Sequence, residues 1–378
     1  MPPVPGVAKI AVLRANGIGD YLFSVPALMA LRVAYPDAEI VLLGAPWHHR
    51  FLTGRSGPVD RVLVVPPSPG IRDEEPGESW PPAAVSAFAE QARAERFDLA
   101  LQMHGGGAHS NPLVSAVGAG LTAGLRAGDA PPLDRWIRYV YYQPEVFRYL
   151  EVVGLVGAAP VTYEPALAVA PADRSEARAA VGSPSRPRVA LHPGATDTRR
   201  RWPPDRFAAV GDAAAASGAE VLVTGTPAER DLVDQVVSGM RAPATPVVGA
   251  LSLGGLAALY EECAAVVSND TGPLHLAAAV GTATVGLYWI GNLVNGGPVY
   301  RARQRPVASW TIHCPRCGTD CTRDLYPYRA GGPSCDHRDS FLTDIPVAEV
   351  VDALLDLLES GPGESYVSPW AVGANRTT

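Results

Sequence analysis

The chain has 378 residues, 47% of them hydrophobic, and a formal net charge of −7. That length fits two domains with ordinary cores, and the acidic balance argues against a nucleic-acid binder, which needs a basic face to displace counterions, without excluding local basic patches. No apolar stretch approaches the roughly 18–20 uninterrupted residues of a membrane-spanning helix, and the N-terminus lacks a basic region ahead of a long apolar core, so a protein with no membrane span, working in the cytoplasm, is expected.

In chain order, Lys9–Leu13 reads as a short apolar strand. The glycine-containing loop Arg14-Ala15-Asn16-Gly17-Ile18-Gly19-Asp20 follows, and then a helix over 21–34. This is the first strand-to-helix turn of a Rossmann-like half. A dinucleotide fingerprint would need glycine at position 22, which is Leu22, so a nicotinamide or flavin site is disfavoured. Strands are expected at 39–43 and 61–65, with a helical link over 46–52. The stretch 66–82, rich in Pro, Gly and acid, reads as an exposed loop, and 83–96 as a helix. The strand at 97–102 runs into Met103-His104-Gly105-Gly106-Gly107-Ala108-His109, either a flexible turn or a substrate-facing loop. A final strand at 122–125 and an amphipathic helix at 144–156 close this domain.

A Pro- and Ser-edged stretch around a short helix marks a domain link, placed at 171–187 between an N-terminal domain at 1–170 and a C-terminal domain at 188–360. Strands at 188–191 and 220–224 and helices at 205–216, 228–238 and 253–262 lead to the stretch 264–288. It reads as strand, loop, helix, strand, and its helix starts beside Asp270, Thr271, Gly272 and His275. Exposed N–H groups at such a helix start favour an anionic ligand, although any α/β fold supplies similar turns. Strand-helix alternation in both halves implies parallel sheets. A helix over 346–358 ends the domain, and 361–378 reads as a poorly structured tail.

Asp270-Thr271-Gly272-Pro273-Leu274-His275-Leu276-Ala277 resembles the Asp-Ser/Thr-Gly-Pro-x-His-x-Ala signature of glycosyltransferase family 9, the heptosyltransferase family. Three further places agree: the Gly19-Asp20 turn followed by Pro26-Ala27-Leu28, the loop from Pro193 to Pro203, and Asp344-Ile345-Pro346 ahead of the last helix. The resemblance implies a GT-B fold, an α/β protein with two Rossmann-like domains facing across a cleft. It also implies a nucleotide-diphosphate sugar as donor, such as ADP-heptose, and a glycan, lipid-linked or small-molecule acceptor. The family inverts the anomeric centre, and it casts Asp20 as catalytic base. Asp20 on position alone fits a helix-capping role equally well.

The remaining assignments combine residues with this resemblance. Gly17 and Gly19 allow close approach at the first turn. In the loop His192-Pro193-Gly194-Ala195-Thr196, Thr196 is a candidate contact, and Arg199-Arg200-Arg201 follow. The family places a lysine two residues before the tryptophan, where this chain has Arg200, so Arg200 or Arg201 is the candidate grip on the diphosphate; a solvated charge run is the alternative. Gly225 and Glu229 match a Gly-x-x-x-Glu turn that meets the ribose or base, unless Glu229 merely serves the helix dipole. Two anions repel, so Thr271 and the following N–H groups are expected to hold the diphosphate while Asp270 fixes the loop or meets a sugar hydroxyl. His275 belongs to the same set. Trp289-Ile290-Gly291-Asn292 replaces the family's usual turn after the last strand.

Four of the five cysteines, Cys314, Cys317, Cys321 and Cys335, fall in an insertion at 313–337 that also holds His337. The spacing fits a structural zinc, with free thiols and disulfides as alternatives. No cofactor is expected for catalysis, because helix N-termini and arginines can meet the leaving group's charge. The reading is an inverting, metal-independent glycosyltransferase. A nucleotide-sugar epimerase and a non-catalytic nucleotide-sugar binding protein are the competing readings.

Overall fold

The computed structural model describes residues 1–81, 83–324 and 335–360. They form two compact units, Met1–Pro165 and Ala166–Thr378. In the first, the order is β1 (Lys9–Leu13), α1 (Ile18–Ala34), β2 (Glu39–Gly44), α2 (Pro46–Leu52), β3 (Arg61–Val64), α3 (Ala84–Ala94), β4 (Leu99–Gln102), α4 (Ser110–Ala116), β5 (Leu121–Arg126), β6 (Arg135–Arg138) and α5 (Glu145–Gly154). The strands make one parallel sheet ordered β3-β2-β1-β4-β5-β6. Both faces of its centre are covered, which is why β1 runs Ile-Ala-Val-Leu after Lys9 and β4 runs Leu-Ala-Leu before Gln102.

The second unit begins with α6 (Pro171–Val181), then β7 (Arg188–His192), α7 (Pro204–Ala216), β8 (Glu220–Gly225), α8 (Arg230–Gly239), β9 (Ala244–Val248), α9 (Leu253–Glu261), β10 (Ala265–Asn269), α10 (Gly272–Ala279), β11 (Ala283–Trp289), α11 (Ile290–Gly296), β12 (Gln304–Ser309), α12 (Cys321–Asp324) and α13 (Val347–Glu359). Its sheet is also parallel and ordered β12-β11-β10-β7-β8-β9. Numbered from its own first strand and read from the far edge, this is the same 3-2-1-4-5-6 order as the first sheet. In such a sheet the order reverses beside the first strand, between β1 and β4 and between β7 and β10. Ligands bind at the carboxyl ends of the strands flanking that point.

Several elements depart from expectation. The strand at 122–125 is not the last of its sheet, because β6 pairs beyond it. Likewise β9 and β12 extend the second sheet. The stretch expected as a linker at 171–187 is part of the second unit, where Arg174 in α6 pairs with Glu261 at 2.6 Å and the Glu176 carboxylate accepts from Ser252 at the start of α9. The helix α11 falls where a turn was expected, and α4 lies directly after the 103–109 loop in a stretch for which no element was expected. The expected tail at 361–378 lies outside the described residues, as does 325–334 of the cysteine insertion. Among the described residues no helix is long and apolar enough to cross a membrane.

Candidate functional site

In the first unit the reversal point is furnished by the loops after β1 and β4. Asp20 sits in the first turn of α1, and its carboxylate turns to Arg14 at the end of β1. Arg14 Nη2 donates to Asp20 Oδ1 at 2.7 Å and Arg14 Nε to the Asp20 carbonyl at 3.1 Å. The two side chains differ sharply in exposure, 4% for Arg14 and 44% for Asp20, so a buried cation holds an acid that faces solvent. Arg14 also donates to the Met103 carbonyl, lies 3.3 Å from Glu145 Oε2 and stacks over the Tyr149 ring at 4.9 Å. Glu145 in turn accepts from Arg148 and from the Tyr149 hydroxyl.

Burial raises the Glu145 carboxyl above its ordinary value, against the lowering pull of Arg14 and Arg148. His104, on the loop after β4, is held down to about 3, first by burial and then by the Arg14 charge. It stays a neutral imidazole. Gly105 and Gly107 have φ of +63° and +97°, which explains glycine at those two positions of this loop. Gly17 has φ −69° and caps α1 without a side chain. Gly17 is exposed and Gly19 half-buried. Arg14, Glu145 and Tyr149 were not among the sequence candidates. Glu145 is 131 residues from Arg14, and no local pattern connects them.

In the second unit the site is assembled from the loops after β7 and β10. Asp270 is 4% exposed, yet its carboxylate is saturated. His275 Nε2 lies 3.0 Å from Oδ1, Asn292 Nδ2 donates to Oδ2 at 2.6 Å, and Arg200 Nη1 is 3.5 Å from Oδ2 and 3.2 Å from the Asp270 carbonyl. Burial opposes its charge, but His275, Arg200 and Asn292 together hold the carboxyl below its ordinary value. Through these contacts Asp270 ties its turn to the arginine loop and to α11. Asn292, at the start of α11, is a site residue contributed by the turn that departs from the family pattern.

Thr271 caps α10 with extended backbone (φ −157°, ψ 170°), and its side chain makes no capping bond. Gly272 and Pro273 open the first turn; proline has no N–H, and the N–H groups of Leu274 and His275 donate to the Thr271 carbonyl at 3.0 and 3.5 Å, which leaves the Gly272 N–H as the donor without a partner among the described residues. The arginines separate by partner. Arg199 binds Asp197 at 2.6 Å, Arg201 donates to the Ala195 carbonyl at 2.8 Å, and Arg200 alone of the three reaches the Asp270 turn. Thr196 is exposed beside them. Trp202, fully buried, fixes the far end of the loop: its N–H donates to Asn269 Oδ1 at 3.0 Å and its indole to the Ile345 carbonyl at 3.1 Å.

Glu229 accepts from the Thr226 N–H and hydroxyl, both at 2.9 Å, which is a capping-box geometry. It also abuts the loop after β7, since a Cβ at Gly194 would fall 2.1 Å from Glu229 Oε1. Gly225 ends β8, where a Cβ would meet Val233 at 2.7 Å. His192, joined to Thr224 at 3.1 Å, is held down to about 4 by burial.

The cysteine cluster differs from the expected set in one member. The ligand atoms of Cys314, Cys317, Cys335 and His337 all lie within 4.8 Å of one another. Cys321 instead packs into the core of the second unit, with its sulfur 3.5 Å from the Thr319 carbonyl. His337 takes the fourth place, which spacing between cysteines alone does not reveal.

Two doubly wound parallel sheets, each with polar loops gathered at its reversal point, are the architecture of GT-B glycosyltransferases. The model of glycosyltransferase family 9 (heptosyltransferase) matches residues 85–322, more than half of the chain, and the chain belongs to that family; it is a glycosyltransferase. Among its relatives, the lipopolysaccharide core heptosyltransferase OpsX of Haemophilus influenzae is 22% identical over 77% of this chain and 81% of its own length. A family 9 glycosyl transferase structure from Veillonella parvula superposes with a TM-score of 0.76 at 20% identity, covering 93% of this chain and 98% of that one. The structure of the ADP-heptose LPS heptosyltransferase II of E. coli gives a TM-score of 0.67 at 20% identity, covering 93% and 99%.

Proposed function

We propose that the chain transfers a heptose from a nucleotide-diphosphate donor of the ADP-heptose type to a hydroxyl of lipopolysaccharide core or a related glycan, with inversion and with no metal ion in the transfer step. The observation that carries this reading is the turn at Asp270, where a saturated buried carboxylate holds Arg200, Thr271 and the start of α10 together at the reversal point of the second sheet. A carboxylate that is already satisfied adds order to this turn without needing to meet the anionic ligand itself. The arginine and the helix start then offer charge-assisted donors to a diphosphate. The names of the relatives, which include LPS heptosyltransferases and an ADP-heptose enzyme, support heptose and a lipopolysaccharide acceptor.

In this reading Asp20 removes the proton from the acceptor hydroxyl as its oxygen bonds to the anomeric carbon. The bond from that carbon to the nucleoside diphosphate breaks on the opposite face. Arg14 occupies one oxygen of Asp20 and so fixes the direction of the other. The charge that develops on the leaving diphosphate is met by Arg200, Thr271 and the Gly272 N–H at the start of α10.

The test is incubation of the full chain with ADP-heptose and a deacylated heptose-accepting core oligosaccharide, in excess chelator, with GDP- and UDP-sugars as controls. The expected result is ADP release that depends on the acceptor, with the product's anomeric configuration opposite to the donor's by NMR. Conversion of the donor without acceptor indicates an epimerase or hydrolase instead. Binding of ADP-heptose without turnover, across a panel of glycan acceptors, indicates a binding protein.

A further inference from the structure

The proposed transfer chemistry makes no use of the cysteine insertion, but its geometry is specific. Cys317 Sγ is 3.7 Å from Cys335 Sγ, and His337 Nδ1 is 3.6 Å from both Cys314 Sγ and Cys335 Sγ. A disulfide needs its sulfurs about 2.05 Å apart, so these sulfurs are not bonded. A tetrahedral ion with sulfur at about 2.3 Å and nitrogen at about 2.0–2.1 Å has sulfur–sulfur edges of about 3.8 Å and sulfur–nitrogen edges of about 3.6 Å. Those three spacings match these edges, and all four ligand atoms lie within 4.8 Å of one another. The backbone is also shaped for the purpose. Gly318 N donates to the Cys314 carbonyl at 2.9 Å, and Gly318 has φ +72°, which closes a tight turn around the Cys314-Pro315-Arg316-Cys317 pair.

The chain beyond the second pair of ligands connects the cluster to the donor side. Directly after His337, the segment 338–345 lies along the arginine loop and is bonded to it mainly through backbone. Phe341 N donates to the Arg199 carbonyl at 2.8 Å, Thr198 Oγ1 to the Arg338 carbonyl at 3.2 Å, and Ser340 Oγ to the Arg201 carbonyl. Arg206 donates to the Thr343 and Ile345 carbonyls at 2.8 and 2.7 Å, and the Trp202 indole to the latter. The carbonyls of Arg199 and Arg201, on either side of Arg200, are therefore both engaged by this one strap. The Cys314–Cys317 turn is otherwise joined to the strap by the ion pair Arg316–Asp339, at 2.6 Å and largely exposed. An exposed pair of that kind contributes at most about 1 kcal/mol.

We propose that Cys314, Cys317, Cys335 and His337 bind one tetrahedral divalent ion, zinc or ferrous iron, and that this ion clamps the strap 338–345 onto the arginine loop, so that a metal remote from the reacting atoms sets the order of the donor grip. The donor-grip part rests on the proposed role of Arg200 and the Asp270 turn; the metal and strap parts do not. Three thiols and one neutral imidazole supply a set suited to either ion. Binding releases the thiol protons to solvent and leaves three thiolates and the ion with a net charge of −1. No electron transfer is involved.

The test uses the full-length chain purified without chelator. Elemental analysis is expected to find about one zinc or one iron per chain, and the two assays say which. Cys317→Ser is expected to lose it, His337→Cys to keep it as a four-thiolate site, and Cys321→Ala to keep it unchanged. Less than about 0.2 ion per chain, after incubation with one equivalent of Zn²⁺ or of Fe²⁺ under anaerobic conditions, overturns the site. For the strap, hydrogen exchange at the Phe341 amide is read before and after removal of the ion by a chelator. A rise of at least about tenfold in exchange, reversed when the ion is restored, supports the clamp; unchanged exchange overturns it. These readouts need no donor. If the holoprotein fails to bind ADP, the donor-grip clause falls with the functional reading while the metal and strap stand or fall on their own measurements. If the holoprotein binds ADP, at least a fivefold loss of affinity on metal removal is expected, and an unchanged affinity overturns that clause alone.

Discussion

Arg14 and Asp20 meet at 2.7 Å, the arginine buried at the end of β1 and the aspartate exposed in the first turn of α1. The arrangement constrains one carboxylate oxygen, while Asp20 Oδ2 has no hydrogen-bond partner among the described residues. Asp20→Asn keeps the size and loses the basicity. It is expected to lower kcat by about 10²–10⁴-fold, with ADP affinity changed by no more than about twofold. Turnover close to that of the parent enzyme ends the assignment of Asp20 as the base.

Arg14 serves Glu145 as well, at 3.3 Å from its Oε2. Arg14→Met leaves a buried carboxylate short of one cation, and the expected loss of stability is on the order of 3 kcal/mol. Adding Glu145→Gln is expected to recover much of that loss, because the stranded charge is gone. Strictly additive effects in a thermal-melt double-mutant cycle would show that the two are not coupled.

At the second-unit site the three arginines are expected to separate functionally. Arg200→Ala is expected to weaken ADP binding about 10- to 100-fold, the scale of one or two charge-assisted hydrogen bonds, while Arg199→Ala stays near the parent value. Asn292→Ala removes the 2.6 Å bond to Asp270 and is expected to weaken binding about tenfold by loosening the turn. Calorimetric titration with ADP decides it, and equal losses for Arg199 and Arg200 would refute the assignment.

Buried histidines give the fold a particular acid sensitivity. His48 and His104 are held down to about 3 and His192 to about 4, in each case chiefly by burial. In the unfolded chain each titrates near 6.5. Above that pH neither state is protonated and stability is full; as pH falls below about 6.5 the unfolded chain takes up protons that the folded chain refuses. Stability therefore declines by up to about 1.4 kcal/mol per histidine per pH unit, until the folded values are reached. Thermal midpoints are expected to drop between pH 7 and pH 5, and His48→Gln to shallow the drop. A midpoint independent of pH over that range would contradict this.

Central strands and the two glycine-bearing turns were legible because burial on both faces writes them as apolar runs closed by special residues. Lys9–Leu13 and Pro46–Leu52 have the bounds that the residues suggest. Three of the four edge strands, β6, β9 and β12, were not, whereas the fourth, β3, falls where a strand was expected. β6 is RWIR with alternating exposure, β9 contains Pro246, and β12 begins with Gln304 and Arg305, so none carries a continuous apolar signal. The same limit applied at the sites. Asp20, Asp270 and Arg200 stand in recognisable local motifs, whereas Arg14, Glu145 and Asn292 acquire their roles only through contacts made by folding. His337 joins the cysteines for that reason too.

The repeated strand order has a consequence for how the molecule comes into being. Each sheet is built from one contiguous stretch, with all six strands of the first lying between Lys9 and Arg138. During synthesis the first sheet can close, and α5 can cover it, before β7 has left the ribosome. The second sheet is less fortunate: β10, at its centre, pairs with β7 only after β8 and β9 have been made, and the strap that braces the arginine loop arrives after all six strands. The nascent chain thus acquires Asp20 in its final setting early and Arg200 in its final setting late.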